Sequence, residues 1–221
     1  AEFALHAYNY VNRAMRMGFT ALRSVSSPAY VDVALRNAIN DGTVVGPRLK
    51  VAGQGLSATG GHMDTNRWAP DLALPWATGV CDGPWECRKA ARVQIKRGVD
   101  LIKINPCVGS SYDLENSPWQ QEMTFEEMKA ICDEAHWHYK RVASHTAGGQ
   151  GITDAILAGV DSIDHGHWLS DEQIELMLKH GTWYVPTLIV NTRGCEILDR
   201  DPNTLGVRND WMHKVNEENW E

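Results

Sequence analysis

Residues 96–104, KRGVDLIKI, hold the joint on which the reading of this chain turns. Gly98 follows an amphipathic stretch and precedes an apolar run, so it ends a helix in the left-handed conformation and hands the chain to a strand. The same phrase recurs as RMGFTALRSV (16–25), LAGVDSIDHG (157–166) and KHGTWYVPTL (179–188), with NDGTVVGPRLKVAG (40–53) a looser version. Each is the αβ joint of a β/α repeat. The segments between joints carry helix signals of their own. TFEEMKAICDEAH (124–136) opens with Thr124 and Glu127 as a capping box and lines up Phe125, Met128, Cys132 and Ala135 on one face. SDEQIELMLKHG (170–181) repeats the device with Ser170 and Gln173, directing Ile174, Met177 and Leu178 to the core. Ala7, Val11, Ala14 and Met15 form a third stripe, and Ala34, Ala38 and Ile39 a fourth.

These joints and the helices between them predict six strands, near 19–25, 48–53, 100–105, 141–145, 161–165 and 183–188. Strands alternating with helices make a parallel sheet, either a closed (β/α)8 barrel or an open doubly wound sheet. Periodicity alone does not choose between them. The chain opens with a helix and ends in another, TLGVRNDWMHKVNEENWE (204–221), so six strands sit inside a pattern of eight. The reading is an α/β protein, a TIM barrel present as an incomplete fragment with about strands 2 to 7. Residues 1–221 are then one partial barrel domain lacking strand 1 and strand 8.

Composition narrows the partners. The 221 residues are 43% hydrophobic, enough for one sizeable core, and carry a net charge of -7 with no basic stripe. Nucleic acid and anionic membrane are therefore poor fits, and no apolar stretch approaches a membrane span. Cys81, Cys87, Cys107, Cys132 and Cys195 are scattered and odd in number, without a C-x-x-C pair. That favours a reduced, cytoplasmic setting, although Cys81 and Cys87 could bridge in an oxidised one, and a secreted or periplasmic location stays open.

Lys103, between Ile102 and Ile104, is the discordant residue of its strand, because an unpaired ammonium is costly to bury. Alternation puts Leu101, Lys103 and Asn105 on one face, Ala143 and His145 on the next strand's face, and Ile163 and His165 on that of the strand after. Lys103, His145 and His165 thus end three consecutive strands, where parallel α/β folds build their sites. Two imidazoles there suit zinc. A lysine beside them is compatible with a cation if burial neutralises it and the amine adds carbon dioxide, becoming a carbamate oxygen ligand. The ordinary alternatives are a satisfied core histidine and an edge lysine pointing to solvent. Two long insertions follow strands, residues 54–84 with GLSATGGHMD and 106–123 with CVGSSYDLENSPWQQ. Such loops are often functional.

In chain order, GFTALRSV, GPRLKVAGQGLSATGGH, GVDLIKI, DEAHWHYKRVASHTAGGQGI, AILAGVDSIDHG and LMLKHGTWYVPTL resemble the metal-dependent amidohydrolase superfamily. The branch they resemble is the imidazolonepropionase-like and Xaa-Pro-dipeptidase-like one, the amidohydrolase-type prolidases. The resemblance covers about 18–188 and implies a (β/α)8 barrel with a binuclear zinc centre. It further implies that Lys103 of LIKI is the carboxylated lysine bridging two zinc ions, and that His145 of VASH and His165 of DHG are metal ligands. The family's H-x-H pair on strand 1 and its base aspartate on strand 8 have no counterpart here, so no catalytic base is expected in this chain. HGH at His165 and His167 only mimics the H-x-H spacing, and His136 and His138 are expected to face solvent.

The resemblance also implies substrate-binding roles for His62 of TGGH and for Tyr112. Arg23 is expected to pair with an acidic neighbour, and Trp68, Trp76, Trp85 and Trp119 to pack the insertions. The expected function is metal-dependent amide hydrolysis of dipeptides or N-acyl amino acids through zinc-bound hydroxide, with these 221 residues alone inactive. A cyclic-amide hydrolase, or a non-catalytic fragment or binding domain, is the alternative. Small-molecule substrate, no nucleic acid and no membrane complete the expectation, with a homo-oligomer left open.

Overall fold

The computed structural model describes residues 2–64, 79–107 and 120–188. Within them the joints behave as the repeated phrase predicts. Gly159, at φ +104°, closes the helix Gln150–Ala158, and the strand Ser162–Trp168 begins three residues later. The described order is α1 (Glu2–Arg16), β1 (Ala21–Ser24), a 3-10 turn (Pro28–Tyr30), α2 (Val31–Asn40), β2 (Arg48–Val51), α3 (Gly83–Lys96) and β3 (Leu101–Ile104). It continues with α4 (Phe125–Trp137), β4 (Arg141–Gly148), α5 (Gln150–Ala158), β5 (Ser162–Trp168), α6 (Asp171–His180) and β6 (Trp183–Val185). Both capping boxes form, Thr124 with Glu127 on α4 and Ser170 with Gln173 on α6. The predicted helix 204–221 lies outside the described residues.

The strands pair in parallel and in chain order within two sheets, β1-β2 and β3-β4-β5-β6. β2 joins β3 through the Asp100 N–H to the Val51 carbonyl at 2.8 Å, and the backbone of Leu56 continues the pairing with Lys103 and Asn105. The sheet curls strongly. Arg23 on β1 reaches Asp164 on β5 at 2.7 Å, although four strand spacings in a flat sheet would separate those strands by roughly 19 Å. A small inner cluster, Ala52, Leu101 and Ala143, lies on the concave side. The main core lies between the convex face and the helices, with Ile102, Ile104, Met128, Ile131, Ile152, Ile156 and Ile163 fully buried. Burying each of these side chains stabilises by about 1.5–3 kcal/mol. Helices on one face only, with consecutive helices packed on one another, make this a barrel fragment and not a doubly wound sheet. Its strands β1–β6 take the places of barrel strands 2 to 7.

Some helix faces differ from the predicted stripes. On α2 the buried residues are Asp32, Val33 and Leu35, while Ala34 is exposed. The cause is Asp32, which turns inward to accept the N–H groups of Val33 and Gly53. On α6 only Gln173 and Met177 are buried; Ile174 is 44% exposed and Leu178 78% exposed, because Gln173 holds α6 against α5 through the Gly149 carbonyl and the Thr153 hydroxyl. No helix among the described residues is long and apolar enough to cross a membrane.

Candidate metal and substrate site

The C-terminal ends of β3, β4 and β5 build this site, and register decides which side chains enter it. Lys103 pairs with Ala143 across β3 and β4; Ala143 pairs with Ser162 and His145 with Asp164 across β4 and β5. Partners in a parallel pair share a face, so Ser162 and Asp164 point inward with Lys103 and His145. Simple alternation placed Ile163 and His165 there instead. Ile163 lies in the outer core, and His165 reaches the interior only because the chain turns left-handed at His165 (φ +79°) and Gly166 (φ +51°). A Cβ at Gly166 would stand 2.9 Å from the Tyr184 ring, so the glycine of DHG is required both for its φ and for room. The register between β4 and β5 shifts at the same level, between Thr146 and Gly148.

This bulge assembles a row of imidazoles. His62, from the insertion after β2, stacks on His145 with ring centres 4.2 Å apart; His145 meets His165 edge-on at 4.5 Å, and His167 follows His165 at 5.9 Å. Beneath them lies an ion cluster. Lys103 Nζ is 2.5 Å from Asp164 Oδ2, while Arg23 donates to Asp164 Oδ1 at 2.7 Å and to Ser162 Oγ at 3.0 Å. Arg23 therefore pairs with an acid as expected, and the acid is one that the sequence reading did not single out. Its signal was available: GFTALRSV and DHG each lodge one charged residue of opposite sign in a strand that needs a partner for it.

Burial sets the protonation states. Desolvation pushes the Lys103 ammonium down to about 8; Asp164 opposes the shift and Arg23 adds to it. His62 and His165 are each pushed down to about 4, first by burial and then by the Lys103 charge. His145 is driven well below its ordinary value by burial, then by its histidine neighbours and Lys103. For Asp164, burial acts upward, but Lys103 and Arg23 together hold its carboxyl below the usual range. At neutral pH these three rings are uncharged bases.

Two observations bear on a metal. Nε2 of His145 is buried without a hydrogen-bond partner, a loss of about 1–3 kcal/mol unless something binds it. His165 Nδ1 lies 2.7 Å from the Thr187 hydroxyl, the kind of outer contact that orients a ligand histidine. Against these, among the described residues no group of three or more His, Cys, Asp or Glu side chains is arranged to hold a metal ion. The rings stack, and Lys103 stands as an ammonium on Asp164. The neutral imidazoles of His145 and His165 are of a donor type that binds zinc, and the described residues by themselves do not complete a metal site.

Glu122 is a site residue that the sequence reading missed. Its carboxylate accepts the His62 N–H at 2.7 Å, and its own N–H donates to the Pro106 carbonyl at 2.7 Å, joining the two insertions. Burial pushes its carboxyl up to about 7, against the pull of the His62 hydrogen bond. Tyr112, Trp68, Trp76, Trp119 and Cys195 lie outside the described residues. Trp85 does not pack an insertion; it is 82% exposed on the first turn of α3. His136 and His138 are away from the site, half-exposed, and pair with Asp161 and Glu134.

Comparison with known proteins places this geometry. The model of the amidohydrolase family matches residues 5–212. Ochratoxinase of Aspergillus niger is 33% identical over 194 residues, which cover 79% of this chain and 38% of that enzyme. A crystal structure of a Xaa-Pro dipeptidase with methionine bound in its active site has a TM-score of 0.88 at 35% identity, covering 97% of this chain and 53% of that one. A prolidase complexed with N-methylphosphonate-L-proline has a TM-score of 0.84 at 27% identity, covering 98% and 53%. The chain therefore spans 38% of the length of ochratoxinase and about half the length of the two peptidase chains. By its family match, its barrel strands and its order of motifs, this chain belongs to the amidohydrolase family, on the branch that includes the prolidases.

Proposed function

We propose that the full-length protein hydrolyses the amide bond of dipeptides or N-acyl amino acids with the help of bound zinc. The observation that carries this reading is the row His62, His145 and His165 above Lys103, in which His145 Nε2 has no partner. The dipeptidase and prolidase likenesses support a small amino-acid substrate. His145, His165 and Lys103 as a carbamate would hold the metal. When bound, the metal would polarise the amide carbonyl and lower the pKa of the attacking water toward about 7.

The chain's own residues divide the remaining work. His62, uncharged at neutral pH, serves as a hydrogen-bond donor to the substrate carbonyl and not as a cation for its carboxylate. Thr187 orients His165, Glu122 holds the His62 backbone, and the apolar floor of Leu101 and Ala143 keeps bulk water from the strand ends. No strand-8 aspartate stands among the described residues; one supplied by the rest of the barrel would protonate the leaving amine, so residues 1–221 alone are inactive in this reading. Residues 1–221 are one part of a barrel domain completed by the rest of the protein.

The test uses the full-length protein. His145→Ala and His165→Ala are expected to lower the metal content measured by elemental analysis and to abolish hydrolysis of Xaa-Pro dipeptides and N-acyl amino acids, with circular dichroism unchanged. Unchanged metal stoichiometry in both variants rejects the ligand assignment. Zinc retained without hydrolysis of any amide in the panel rejects the substrate class.

A further inference from the structure

Cys81 and Cys87 lie apart from the imidazole row, and the proposed chemistry makes no use of them. Their sulfur atoms are 3.2 Å apart, Cys87 is fully buried and Cys81 is 3% exposed. They bracket the start of α3, Cys81 two residues before Gly83 and Cys87 within the helix. The segment that carries Cys81 is the outer neighbour of the chain leading to His62. Ser57 donates to the Gly79 carbonyl and accepts from the Cys81 N–H, both at 3.0 Å. Asp82 accepts from the Thr59 N–H at 2.9 Å and from its hydroxyl at 2.6 Å, and Ser57 Oγ accepts from the Met63 N–H at 3.1 Å. His62 thus stands on a strip of chain whose outer support is residues 79–82.

We propose that Cys81 and Cys87 form a disulfide in the full-length protein, clasping residues 79–82 to α3 and bracing the strip that presents His62. The geometry favours the bond over a chance meeting of thiols. Two buried cysteines six residues apart already face each other, and closing to the about 2.05 Å of a disulfide moves the sulfurs by about 1 Å, within reach of small side-chain rotations. All four described cysteines are free thiols here, and among the described residues Cys81 and Cys87 are the pair whose sulfurs meet.

The step needs a two-electron oxidant, here a small-molecule disulfide such as oxidised glutathione. One cysteine thiolate attacks it, releasing one glutathione thiol; the second cysteine then displaces the other glutathione from the mixed disulfide. Two protons leave the cysteines, one S–S bond forms, and the oxidant is reduced to two thiols. In the folded protein the Cys87 thiol is pushed up, first by its hydrogen bond with Cys81 and then by burial, so exchange belongs to folding, before the pair is enclosed.

The experiment refolds the full-length protein in a mixture of oxidised and reduced glutathione, denatures it with iodoacetamide and no reductant, and maps its peptides by mass. The expected result is one cross-linked, unalkylated species containing Cys81 and Cys87, two hydrogens lighter than the dithiol, with Cys107 and Cys132 alkylated. Alkylation of both Cys81 and Cys87 overturns the proposal. Thermal melting adds a second reading: adding reductant before refolding should lower the wild-type melting temperature by several degrees and leave a Cys81→Ser, Cys87→Ser variant unmoved. A wild type that melts identically in both forms overturns the bracing role. The mass map on the wild type decides the bond even if the double variant does not fold.

Discussion

Asp164 binds Lys103 on one carboxylate oxygen at 2.5 Å and Arg23 on the other at 2.7 Å. The lysine of LIKI is thus held as an ammonium ion, and it must leave Asp164 before its amine can add carbon dioxide. Arg23 makes that departure tolerable, because Asp164 keeps one charged partner in a site where an uncompensated carboxylate costs several kcal/mol. Burial lowers the Lys103 ammonium to about 8, so its free amine is easier to reach near neutral pH than that of an exposed lysine. In the proposed carbamate reading, carboxylation would draw on the amine released from this buried pair.

Replacing Lys103 with alanine in the full-length protein is expected to lose metal and activity together. A small carboxylic acid in solution should restore part of both, by filling the vacated oxygen position. Full activity of the variant without added acid would end the carbamate reading, whereas a structural lysine would show no rescue.

Arg23→Met removes the second partner of Asp164 and also a positive charge that lowers the Lys103 pKa. Lys103 should then be held more firmly as an ammonium, so metal content should fall and rise again with added bicarbonate. Stability should drop by about 1–3 kcal/mol, measured by urea unfolding. Metal content indifferent to both the substitution and bicarbonate would contradict the coupling.

Glu122 carries a pH prediction whose sign follows from its raised pKa. Between the ordinary value of 4.5 and about 7, the folded protein holds a proton that the unfolded chain has lost, so this contribution to stability is full below 4.5 and disappears as pH rises through 7. Glu122→Gln keeps an acceptor for the His62 N–H and cannot titrate. Unfolding midpoints should therefore decline more steeply from pH 4.5 to 7.5 in the wild type than in the variant. Parallel curves would show that Glu122 does not titrate in this window.

Gly166→Ala puts a Cβ 2.9 Å from the Tyr184 ring at φ +51°. The left-handed backbone and the clash together should cost about 2–4 kcal/mol in thermal or denaturant unfolding. Adding Tyr184→Ala should recover the part due to the clash and none of that due to φ. A Gly166→Ala protein as stable as the wild type would mean that the turn at His165 is not required.

Much of this protein was legible locally. Gly159 and Gly181 end helices in the left-handed conformation, Thr124 and Ser170 cap helices through the residue three positions on, and the apolar bursts after the five joints become β1, β2, β3, β5 and β6. These signals act over three or four residues, so the sequence alone carried the order of elements, the parallel repeat and the strand ends where Lys103, His145 and His165 stand. Tertiary structure decided the rest, because each remaining question depended on residues far apart in the chain. The inward turn of Asp164 and the left-handed rescue of His165 follow from register with β4, which alternation within one strand cannot supply. The partner of Arg23 lies 141 residues away across a curled sheet, and Glu122 meets His62 from a separate insertion. Period alone directs Leu178 to the core, whereas the hydrogen bonds of Gln173 to Gly149 and Thr153 turn α6 so that Leu178 stays exposed.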